Sequence, residues 1–403
     1  MSLVHRSLLR TPGLPPKVAL RTLKRLSASP DPRAASAIAG WIGDADEDVH
    51  TAAIEALSAC GLRAVPQLLE LTGVPEPRRR TAAVTVLGMI GPNHEVISHA
   101  LLTTTVDSHA RVRAAAMKAL GRARAEFASA ALDALTHGAQ DESPAVVVSA
   151  CESLKQFPSL SPELLQILLR LLEDPRATVR QSAAVLVGRA ASHDRELRED
   201  LRDRSSRRHS SEQSAALAAL AECVQPEDEQ LLLELIPSGH RDVRLAALAC
   251  LTRLSSVGEQ ALHTIARLLQ HQDWRTRVSA VLCLGAQGRR ASRFLPAFVH
   301  AFEDSSGPVR LAALQAVTAL KASATSAWPF AVRRFDDLQP PVRHAAARTV
   351  AMLCWDHSDS LPLLDACLQH PSPPVRAAAV ECLSHFGPRD ESISNRLVAA
   401  LRD

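Results

Sequence analysis

The chain has 403 residues, 46% of them hydrophobic and 22% charged, ordinary values for a folded protein with room for two or three globular domains or one long repeat array. Arginine is strongly preferred over lysine, 41 to 5, yet the net charge is only +3, so no basic excess points to nucleic acid. No apolar run is long enough to span a membrane, aromatic residues are 3% with no Tyr, and the eight Cys lack the compact spacing of a disulfide framework, which suits buried thiols in a reducing compartment.

Residues 1–30 carry six Lys or Arg and no acid before Asp31. Val18, Leu23 and Leu26 follow helical spacing, so the expectation is a basic helix that caps the rest of the chain. The alternative is a mitochondrial targeting segment, and the corresponding placements are cytoplasmic and mitochondrial.

From residue 50 onward the chain repeats itself. Taking the Arg of each Val-Arg pair as an anchor, the equivalent positions are His50, Arg80, Arg113, Val147, Arg180, Gln213, Arg244, Arg277, Arg310, Arg343 and Arg376, spaced by 30 to 34 residues. Three residues after every anchor stands Ala, from Ala53 to Ala379, and seven residues after it stands Leu or Val, from Leu57 to Leu383. Positions −1, +3, +4 and +7 make one apolar stripe on a helix of 3.6 residues per turn. The small residues at +2 and +3 keep that face thin enough for close packing. Gly88, Gly121, Gly188 and Gly285, all at +8, are placed to end this helix. A second apolar segment follows, as in residues 164–174 and 294–304, so each unit holds two helices of about three turns and two short loops. The fold class is all-α.

A repeat of this length fits three known types. The Thr-Pro-Leu-His signature of ankyrin repeats is absent, and the Tyr that tetratricopeptide repeats use does not occur. The pattern running from Asp304 through Val309-Arg310 and Ala312-Ala313 to Val317 resembles the HEAT-repeat family, and more narrowly its short repeats of the phycobilin lyase type. The resemblance covers about residues 16–402. It implies a right-handed α-solenoid of eleven to twelve two-helix repeats, one continuous array over 1–403 with a capping helix at 388–403. It also implies that the second helix of each unit lines a concave face.

Asp107, Asp174, Asp304 and Asp337 each precede an anchor Arg by six residues. Such a carboxylate can cap the helix start and pair with an Arg of its own or the adjoining repeat, which gives the anchor arginines a structural use.

Sequence signatures of catalytic chemistry are few. HExxH, GxSxG and phosphate-binding loop patterns are missing. Deoxyhypusine hydroxylase, a relative in repeat type, uses several His-Glu pairs for two irons, and this chain has the single pair His94-Glu95. Cys354/His357, Cys367/His370 and Cys382/His385 have i, i+3 spacing that zinc could use. Cys also recurs at +6 without His in Cys250 and Cys283, so core packing is the expected role. No catalytic residue, metal or cofactor is therefore assigned.

The unit around Gln213 is degenerate. Residues 195–213 read as a solvated loop between two half-arrays, and the basic residues before Ser210 make Ser210 and Ser211 candidate phosphorylation sites, with Ser205 and Ser206 beside them.

On the second-helix face, positions +1, +5 and +9 point outward. They are polar in Glu55, Lys118, Glu152, Gln315, Arg348 and Glu381. They turn apolar in Leu245, Ala249, Val278, Leu282 and Leu311, which marks a binding groove, or else tight curvature that buries the row. Arg189 and Arg253 would edge it, and Trp274 is the best aromatic candidate for a contact, with ordinary packing as its alternative role. The expected function is a non-enzymatic adaptor that binds a protein partner on this face. The alternatives are a lyase-type or chaperone-like protein acting on a tetrapyrrole-bearing partner, and a nucleic-acid-associated HEAT protein, against which Arg122, Arg189 and Arg253 alternating with Gln156 and Glu222 argue.

Overall fold

The structure, a computed structural model, describes residues 2–11, 14–207, 210–354, 360–386 and 391–400. Among these there are helices and turns and no strand. The chain divides into two compact units, Met1–Asp194 and Arg195–Asp403. Within each, a helical segment and a second helix alternate, and consecutive second helices pack on one another. This is an all-α solenoid of two-helix repeats.

The stripe read from the sequence is the core. Every Ala at +3 is at most 1% exposed and every Leu or Val at +7 is fully buried. Neither Val at −1 nor Ala at +3 can bury itself inside one helix pair. Stacking on the next pair supplies the missing surface, so stability is shared between neighbours.

In the first unit the basic N-terminus forms two helices, Ser2–Leu9 and Pro16–Ala28. The second packs on Glu47–Ala59 as one more second helix, burying Ala19, Leu23 and Leu26 while Val18 stays exposed. In the second unit, residues 195–206 form a helix, correcting the expectation of a loop over 195–213. Leu197, Leu201 and Ser205 fall on one face at i, i+4, i+8 and are buried. On the remaining faces Arg195 pairs with Glu199 and Arg204 with Asp200 at i, i+4, so a highly charged sequence still has an amphipathic helical solution. At the C-terminal end Glu391–Ala400 is helical.

The anchor arginines join consecutive repeats. Arg80, Arg113, Arg277 and Arg310 each hold the Asp of the following repeat through Nε and Nη2, at 2.7–2.8 Å, with partners Asp107, Asp141, Asp304 and Asp337. The same carboxylates accept a backbone N–H two residues on, in His109, Ser143, Ser306 and Gln339. The remaining guanidinium nitrogen, Nη1, donates to carbonyls of the arginine's own turn, for example Arg310 to Asp304 and Ser305. One planar fork therefore fixes its own turn and the next. Asp141 escapes the sequence pattern because the anchor that follows it is Val147. For the same reason Asp174 has no arginine in the preceding anchor and pairs with Arg176.

The glycines at +8 do not end helices by left-handed turns. Gly88, Gly188 and Gly285 lie inside their helices, and Gly121, at a helix end, has φ −57°. A Cβ on Gly88 would sit 2.5 Å from Cβ of Ala119, and one on Gly285 2.9 Å from Cβ of Ala316. The glycine lets two second helices approach where position +6 of the next repeat presses in.

Candidate protein-binding face

The second unit presents the outward positions of the helices Arg241–Arg253, Trp274–Ala286, Gly307–Leu320, Pro340–Leu353 and Pro373–Phe386. Leu245, Val278 and Leu311, all at +1, are half-buried, Ala249 is exposed, and Leu282 at +5 is 45% exposed. Their outward sides are apolar because the stripe that faces the core lies at other positions of the same helices. Trp274 opens its helix behind the N-cap Asp273 and is 37% exposed, with the Arg275 guanidinium 4.6 Å from its ring centroid. Arg253 is exposed and already paired with Glu222 at 3.0 Å. Arg189 belongs to the first unit, where it donates to the Lys155 carbonyl at 2.7 Å.

Continuing along the same outward positions, Leu311 leads into a groove of ≈ 810 Å³. Gln315 and Ala319 come from the same helix as Leu311, His344, Arg348 and Met352 from the next, and Glu381 and His385 from the third. His344 Nδ1 lies 2.5 Å from Glu381 Oε2, and His385 Nε2 lies 4.0 Å from Oε1. Met352 is 50% exposed. In the sequence Gln315, Arg348 and Glu381 read only as polar outer positions. The signal for the groove is the shared +1, +5, +9 rule applied across three repeats, from Leu311 to His385.

Other sequence candidates fall away from this face. Ser205 is buried and its hydroxyl donates to the Leu201 carbonyl, Ser206 donates to Asp203, and Ser211 is exposed. Ser210 is the first residue of the helix Ser210–Leu220, and Arg208, His209 and the Ser210 side chain lie outside the described residues. His357 is also outside them. Cys382 is fully buried, and burial pushes the thiols of Cys367 and Cys382 upward, away from the thiolate a metal needs. His370 Nδ1 accepts the Ser372 N–H. Among the described residues no cluster of three or more His, Cys, Asp or Glu could hold a metal, and no helix is long and apolar enough to cross a membrane.

The family model for HEAT repeats matches residues 98–188, 229–318 and 329–403. No curated protein matches the sequence. Among solved structures, Kap95p with RanGDP superposes at TM-score 0.57 and 14% identity, covering 100% of this chain and 63% of that one. The Kap95–Nup1 complex gives 0.56 at 14%, covering 99% and 63%. Importin beta gives 0.52 at 15%, covering 95% and 57%. This chain thus spans less than two thirds of the proteins it superposes on, and the likeness is one of fold. The chain belongs to the HEAT-repeat family.

Proposed function

We propose that this protein is a non-enzymatic adaptor whose second unit binds a segment of a protein partner along the outward face of its second helices. One observation carries the proposal: Leu282 stands exposed among Leu245, Val278 and Leu311 on three consecutive helices, and the row runs on into a groove that begins at Leu311. Contiguous, partly exposed apolar surface of this kind marks an interaction site, and the affinity should rest on a few such anchors. Kap95p, whose fold is similar, is bound to RanGDP and to Nup1 in the structures that superpose. Anchor arginines such as Arg277 and Arg310 are engaged with aspartates and carbonyls, which withdraws them from contact with nucleic acid.

The test is a comparative pull-down from cells with wild type and a Leu245→Glu, Leu282→Glu, Leu311→Glu variant, after circular dichroism shows equal helix content. Loss of specific partners from the folded variant is the expected outcome. Recovery of the same partners by both baits would move the interaction elsewhere.

A further inference from the structure

Four turns of the chain reach the same backbone position, eleven residues after the anchor, with a positive φ. Gly61, Gly91 and Gly288 hold it at φ 61°, 139° and 54°. In the fourth the residue is Lys321, at φ 51° and ψ −130°. Glycine adopts such a conformation freely, whereas a side chain is strained there. Lys321 is the only non-glycine with positive φ among the described residues, and strain retained against an available glycine points to a use for the side chain.

Lys321 lines the groove that starts at Leu311. Lys321 and Arg348, on the same groove, are exposed, and neither has an ion pair with a described residue. The single carboxylate of the lining, Glu381, is engaged by His344 at 2.5 Å. Elsewhere in this unit Arg253 is neutralised by Glu222 and Arg310 by Asp337. The groove therefore offers two cations against one carboxylate, beside apolar surface from Leu311, Pro341 and Met352.

We propose that this groove takes an acidic, apolar peptide segment, in which a carboxylate side chain is held between Lys321 and Arg348 and a neighbouring bulky apolar side chain is seated on Leu311 and Met352. The proposal rests on the adaptor role above and names the chemistry of its partner. Charge complementarity selects the carboxylate and disfavours a basic segment, which would face two like charges. The apolar seat supplies the rest of the affinity.

The experiment uses the full chain and fluorescence anisotropy with three labelled short peptides: one alternating Glu and Leu, one with Lys in place of Glu, and one with Ser in place of Leu. The Glu/Leu peptide is expected to bind at least about tenfold tighter than either counterpart, roughly what one charge-assisted contact is worth, and to weaken with salt. Lys321→Gly, which suits the backbone, and Arg348→Gln should each weaken it by about tenfold, while Arg267→Gln, at an exposed arginine outside the groove and outside the binding face, should not. Equal binding of the Lys peptide, no binding to wild type, or indifference to both Lys321→Gly and Arg348→Gln would overturn the proposal. If that happens while the triple-Glu variant still loses its partners, the adaptor role stands and only the acidic preference is wrong.

Discussion

Replacing Asp304 by Ala should loosen the joint between two repeats without unfolding the chain. Asp304 accepts Nε–H and Nη2–H of Arg277 at 2.7 Å and the Ser306 N–H at 2.8 Å, and both side chains of the pair are 12% exposed. Exposed pairs contribute up to about 1 kcal/mol, and breaking a buried one costs about 3–5 kcal/mol. Arg277 would keep its bonds to the His271 and Gln272 carbonyls, so about 2 kcal/mol is the expected loss from the pair. Loss of the turn cap adds up to about 1 kcal/mol. Because repeat proteins open locally, the assay is hydrogen exchange of the helices Trp274–Ala286 and Gly307–Leu320, where amides should exchange about 30-fold faster or more. Asp304→Asn, which retains the acceptor for Ser306, should fall between. The effect depends on pH. Burial raises the Asp304 carboxyl, and the hydrogen bonds from Arg277 and Ser306 outweigh it, holding the group below its usual value. A carboxylate depressed in the folded state contributes fully above its unfolded value of about 4 and loses that contribution as pH falls through the folded value. The wild-type advantage should hold at neutral pH and shrink in acid. Unchanged exchange at neutral pH in Asp304→Ala would refute the joint.

Other substitutions check the remaining physics. His370 stands where the following-repeat Asp would meet Arg343, which bonds the Asp337 carbonyl and has no ion pair with a described residue, so His370→Asp should stabilise the protein by about 1 kcal/mol in urea unfolding. Gly88→Ala places a methyl 2.5 Å from Cβ of Ala119; crowding of about 1–3 kcal/mol outweighs a helix-propensity gain of about 1 kcal/mol, and a lowered Tm is expected. Burial pushes the Cys151 thiol up to about 12 and that of Cys283 to about 11. Mass spectrometry after brief alkylation of the native protein near pH 8 should find both unmodified and both labelled after denaturation; rapid native labelling would contradict their burial.

The repeat, its two-helix content and the buried identities at −1, +3 and +7 were legible in the sequence, because each is a periodic requirement met within one helix or between identical neighbours. The tertiary structure decided what depends on the meeting of different repeats. It set the direction of the arginine joints, from each anchor to the Asp that follows it by 27 or 28 residues, where the sequence allowed own or adjoining pairing. It turned the glycines at +8 from helix ends into points of close approach, a role visible only against Ala119 and Ala316. The charged segment 195–206 became a helix because Leu197, Leu201 and Ser205 found a surface to bury against, which its composition did not announce. The groove is the clearest case. Leu311, Lys321, Arg348 and Glu381 are unremarkable one by one, and stacking three helices brings them to one surface.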